Sequence, residues 1–101
     1  MPNKAHTTTL NRICRRYGVV PDPNGAFDLR IADAIIEVET SATIDDAILR
    51  LQTEPGAVYI ALTNKEGVSY AVKRVAHTKV GIMDPQGNVV KPSGDHMFPS
   101  D

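Results

Sequence analysis

The chain has 101 residues, 42% of them hydrophobic and 23% charged, and 11 basic against 12 acidic side chains leave a net charge of -1. That length holds one domain with one core, and the composition excludes a wholly disordered chain or a collagen-like repeat. Aromatics make up 5% with no Trp, so aliphatic side chains have to fill the core, and the basic surplus on which phosphate binding rests is missing.

In chain order, residues 1–6 are polar and read as a frayed end. A helix is expected from about Leu10 to Tyr17, with Thr9 as its cap. Leu10, Ile13, Cys14 and Tyr17 share one face, Arg12, Arg15 and Arg16 share the other, and Gly18 can close the helix in a left-handed conformation. Pro21, Pro23 and Asn24-Gly25 then make a loop. The stretch 27–40 fits two periods; the β-branched run after Ile35 favours a short helix near 28–34 followed by a strand near 35–40.

Thr43, with Asp46 three places on, reads as a helix start, and Ile44, Ala47, Ile48 and Leu51 form the stripe that such a helix would bury. Glu54-Pro55-Gly56 stops it. From Ala57 the alternation suggests strands at Val58–Leu62, Val68–Val72, Lys79–Met83 and Asn88–Lys91. Asp84-Pro85-Gln86-Gly87 has the composition of a type I turn. Strands joined by links this short pair antiparallel. The expected fold is therefore α+β, with two or three helices on a four-stranded, mostly antiparallel meander. One domain is expected over 7–91, followed by a loose tail over 92–101.

Cys14 is the single cysteine, so no internal disulfide forms, and a reducing compartment is favoured. The N-terminus lacks the apolar stretch of a signal peptide, and no apolar run approaches the ~20 residues that span a bilayer. A cytoplasmic protein with no membrane role is the expectation. His6, His77 and His96 share no metal-ligand spacing, no Gly-rich phosphate loop is present, and neither a cofactor nor a metal is expected. The clustered arginines, with Lys73 and Arg74, read as a solvated face and not as a nucleic-acid surface.

Three stretches carry a family likeness. Leu10–Gly18 closes on Arg15-Arg16-Tyr17-Gly18, Ile36–Leu62 reads as strand, helix and buried strand, and Ser69-Tyr70-Ala71-Val72 leads on to Lys79–Pro85, which ends in Asp84-Pro85. In that order they resemble the papain-like peptidase domain that trims double-glycine leaders from bacteriocins, and its non-catalytic relatives in secretion transporters. The resemblance implies a papain-like outline and a catalytic cysteine, histidine and aspartate. Of these only the aspartate has a match here, Asp84; the histidine position falls on Ser69 or Tyr70 and the cysteine position near Ala5 or His6.

These substitutions point to a bacterial or phage pseudoenzyme that binds a protein or an extended peptide by main-chain pairing and apolar pockets. The groove would lie between the first helix and the meander, bordered by Ser69, Tyr70 and Asp84, and Tyr59, on the opposite parity of its strand, would be an exposed aromatic contact. The competing reading is a compact thiol peptidase or deamidase, a toxin or effector, using Cys14 with His77 and Asp84. Across an extended strand those last two would stand ~20 Å apart. A small inhibitor or immunity protein of a mobile element is a third reading, with no residue that argues for it. The oligomeric state is not legible.

Overall fold

The computed structural model describes residues 4–94, and within them the chain runs α1 (Lys4–Tyr17), β1 (Leu29–Ile31), β2 (Ala34–Glu39), α2 (Ile44–Gln52), β3 (Val58–Leu62), α3 (Glu66–Arg74), β4 (Gly81–Met83) and β5 (Val89–Lys91). The five strands form one sheet in sequence order. Its outer pairs, β1–β2 and β4–β5, are antiparallel, whereas β2–β3 and β3–β4 are parallel.

The architecture is α+β as expected, but the sheet is five-stranded and mixed, not a four-stranded antiparallel meander. Two misread segments account for the difference. Val68, Tyr70 and Val72 alternate, yet Val68, Ala71, Val72 and Val75 also repeat at i, i+3, i+4 and i+7, and the second period is the one realised in α3. With a helix there, the β3-to-β4 connection is long enough to cross over, and the strands pair parallel. Conversely, residues 29–31 form a strand and not a helix: β1 turns into β2 through Ala32-Asp33, with Ile31 opposite Ala34, and Ala32 carries the positive φ of 53° that such a turn demands.

The sheet is covered on both faces. Ile35, Val58, Ile60, Leu62, Val80 and Ile82 meet α2 and α3 through Ile44, Ala47, Ile48, Leu51, Ala71 and Val75. Leu29, Ile36, Val38, Ala61 and Met83 meet α1 through Ile13 and Cys14. Burial on both faces explains the nearly unbroken apolar runs of β2 and β3, which are typical of parallel central strands. The α2 helix lies where its stripe places it, although Thr43 does not cap it: its hydroxyl donates to Glu39 Oε1 at 2.6 Å.

The first helix ends as expected and begins earlier than expected. Gly18 takes φ 68°, and Val19 N–H reaches back to the Cys14 carbonyl at 3.0 Å, the Schellman closure that a left-handed residue permits. It already runs at Lys4, so Thr9 is a buried helix-interior residue and not a cap. Its basic face is also put to use. Arg12 donates to the Pro85 carbonyl at 3.0 Å, Arg16 to the Gln86 carbonyl at 2.9 Å and Tyr17 to the Gly87 carbonyl at 2.6 Å. These bonds clamp the β4–β5 turn against α1.

At the other end of β5, the segment expected to be loose starts with fixed contacts. Ser93 Oγ accepts the Val58 N–H at 3.0 Å and donates to the Lys79 carbonyl at 2.8 Å, which also receives the Gly94 N–H at 3.0 Å. The remainder of that tail, 95–101, lies outside the described residues, as do residues 1–3.

Candidate functional site

The loops at the carboxyl ends of the three parallel strands are 40–43 after β2, 63–65 after β3 and the turn 84–88 after β4. In open sheets with parallel strands, this edge is where ligands are usually held. Two concavities lie there. One, of about 550 Å³, is bordered by Ser41, Ala42, Asn64, Glu66, Gly67 and Tyr70. The other, of about 510 Å³, runs between α3 and β5 and is bordered by Lys65, Val68, Ser69, Val72, Lys73, Asp84 and Val90.

The second groove has an apolar floor and a polar rim. Val68 and Val72 sit one turn apart on α3 and are partly buried against the core. Val90 supplies the facing wall from β5, the last strand of the sheet. Val89 and Val90 are 48% and 47% exposed, which is unusual for neighbouring aliphatic side chains on a free strand edge. The pairing of Ile82 with Lys91 and of Met83 with Val89 shows a register slip at that point. Val90 is therefore the extra residue of a bulge, which turns its side chain toward α3 and interrupts the edge as a template for long strand addition.

The expected binding residues divide between sites. Ser69 and Asp84 border the α3–β5 groove together, although Ser69 does so from a helix. Tyr70, 46% exposed, belongs to the other concavity. Tyr59 packs on the opposite face of the sheet, among the residues that meet α1, so it is not the solvent-facing aromatic its parity suggested.

Asp84 is committed to its turn. Its carboxylate accepts the Gln86 and Asn88 N–H groups and the Asn88 side-chain amide, each at 2.9 Å. Burial would push its pKa up, but these bonds and the charge of Arg16 outweigh burial and hold it below the ordinary carboxylate value. Sequence reading missed Lys65, Lys73 and Val90 as site residues. The only signal for the lysines is their spacing of eight, two helical turns, which has meaning once 66–74 is known to be helical.

The three residues of the thiol-enzyme reading are not joined by any hydrogen bond or ion pair among the described residues. Cys14 is buried beneath α1. His77 is exposed in the turn before β4, at φ 66°, and Asp84 follows that strand. Burial, with the charge of Asp28 in support, pushes the Cys14 thiol above its ordinary value, opposite to the activation a nucleophile requires. The folded chain should therefore react with iodoacetamide at pH 7.5 roughly 100-fold more slowly than the chain in urea, since alkylation has to wait for α1 to open. Equal rates, or fast alkylation below pH 7, would restore Cys14 as a reactive group.

A separate ionisable cluster lies on β2. Arg50 of α2 donates to Glu37 at 2.8 Å and to Glu39 at 3.2 Å, so one guanidinium serves two carboxylates. Glu37 is buried, and burial, followed by the charge of Asp28 across the strand pair, raises its pKa to about 7 despite the opposing pull of Arg50. Asp28 is itself bound to the Val38 N–H at 2.7 Å and to His6 at 3.1 Å. Among the described residues, no group of three or more His, Cys, Asp or Glu side chains is placed to hold a metal ion, and His96 lies outside them. No described helix is long and apolar enough to cross a membrane.

The chain matches no family model, no curated protein and no solved structure.

Proposed function

We propose that the chain is a binding domain that receives a protein or extended peptide partner in the groove between α3 and β5. The support is physical. Exposed aliphatic side chains on a free sheet edge, beside an apolar groove, mark a surface suited to a partner, and Val90 closes the groove whose floor is Val68 and Val72. Burial of such a patch supplies affinity at about 25 cal/mol per Å² of apolar surface, less the cost of ordering the partner.

The bulge at Val90 shapes the mode of binding. A long added strand would lose its ladder there, so side-chain insertion carries more of the contact than main-chain pairing does. Selection of random twelve-residue peptides on the immobilised protein tests the idea. Enriched peptides should lose at least tenfold in affinity for Val90→Asp, a variant of an exposed residue that should melt within a few degrees of the parent. No enrichment, or equal affinity for the variant, would remove the proposal.

A further inference from the structure

Resting on that reading, we infer that the groove selects extended segments in which one aliphatic residue is flanked on both sides, two positions away, by carboxylates. Lys65 immediately precedes α3, and Lys73 stands in its last turn. Lys65, Ser69 and Lys73 follow one another at intervals of four, so the two ammonium groups bracket the groove along a single line of the helix. Eight residues of helix rise ~12 Å.

Between the lysines the floor is Val68 and Val72, and Val90 closes the far side. In an extended chain, positions i, i+2 and i+4 share a face, and four steps cover ~13 Å. A carboxylate–aliphatic–carboxylate triplet at that spacing therefore matches the distance between the two lysines, with its middle side chain over the floor that Val68 and Val72 form between them.

The charges are available for this role. Arg30, Arg50 and Arg74 are each paired with a carboxylate, whereas Lys65 and Lys73 enter no ion pair among the described residues. Both lysines are exposed. The one carboxylate on the rim, Asp84, is held in its turn by three hydrogen bonds from Gln86 and Asn88 and forms no ion pair with either lysine among the described residues. Nearby unpaired positive charge speeds and orients encounter with an acidic segment, and it does so less at high salt.

The test uses the full chain and three synthetic heptapeptides identical except at the flanking positions, which carry Glu, Ser or Lys around a central Leu. Titration by fluorescence anisotropy at low salt should give an affinity for the Glu-flanked peptide at least tenfold above the Ser-flanked one, with most of the difference lost in 0.5 M NaCl. The Lys65→Glu, Lys73→Glu double variant, with its fold checked by thermal melting, should reverse the order and prefer the Lys-flanked peptide.

Equal binding of all three peptides, weakened by Val90→Asp, would overturn the charge rule while leaving the peptide-binding reading intact. Binding of none of them, together with an empty random-peptide selection, would overturn both. A concentration-dependent dimer abolished by Val90→Asp would assign the groove to a second copy of this chain and would also overturn the inference.

Discussion

Replacing Gly81 with alanine is expected to destabilise the fold by about 3 kcal/mol and to lower its Tm by about 15 °C. A Cβ built at this position stands 2.6 Å from two ring carbons of Tyr59 and 2.7 Å from the Lys91 carbonyl oxygen, distances that side chains do not tolerate. Tyr59 is the direct cross-strand neighbour of Gly81, and its ring lies over the space the missing side chain leaves, an arrangement by which aromatics support glycines in sheets.

The two contacts differ in how they can relax. The ring can rotate away at the expense of its packing under α1, but the Lys91 oxygen is backbone, so β5 itself has to move. Adding Tyr59→Ala to Gly81→Ala should therefore not restore stability, because one clash persists and a cavity is created. Since β5 carries Val90, the same displacement should weaken peptide binding. A Tm within about 2 °C of the parent would show that the β4–β5 pair is looser than described.

A second large effect concerns pH. Glu37 has its folded-state pKa raised to about 7, from burial first and the charge of Asp28 second, against an ordinary value of 4.5. A raised carboxyl pKa means that the folded state binds the proton more tightly than the unfolded chain does. The associated stability is thus fully present below the unfolded pKa and is lost as pH rises through the folded one. Stability should fall between about pH 4.5 and pH 7, with a total change on the order of 3 kcal/mol at most.

Glu37→Gln keeps a group able to accept the Arg50 hydrogen bond while removing the titration. Urea unfolding across pH 4.5–8 should show the two proteins equally stable at the acid end and the variant ahead at the alkaline end. Glu39, Asp28, Arg50 and His6 remain in both proteins, so the difference between the curves reports Glu37. Parallel curves would show that the carboxylate is ionised throughout and that Arg50 offsets its burial.

Much of the local structure could be read from residues alone. The amphipathic stripe of α1 and its Gly18 closure, the stripe of α2 with its Pro-Gly stop, the apolar run of β3 and the Asp84–Gly87 turn all rest on short-range chemistry, and each forms where its pattern places it. The place of the candidate groove was not legible in the same way: Ser69 and Asp84 border a groove between α3 and β5, and not one between the first helix and a meander. Tyr70, set at the groove by the resemblance on a strand, and Tyr59, set in solvent by strand parity, both lie elsewhere. Parity is void for Tyr70, which lies on a helix, and it points Tyr59 under α1 in a sheet covered on both faces.

Long-range contacts decided the rest. Residues 68–75 satisfy the periods of both helix and strand, and what selects the helix is the apolar face of β3 and β4, which Ala71 and Val75 are there to cover. That single choice turns an antiparallel meander into a parallel crossover, brings α3 beside β5 and creates the lysine-bracketed groove. The arginines of α1 are a similar case. As sequence they are a charged face; Arg12 and Arg16 become the clamp on the 84–88 turn when a strand some seventy residues later arrives beside them. Periodicity specifies which residues share a face of an element, but the element on which that face closes is settled by packing between parts of the chain far apart in sequence.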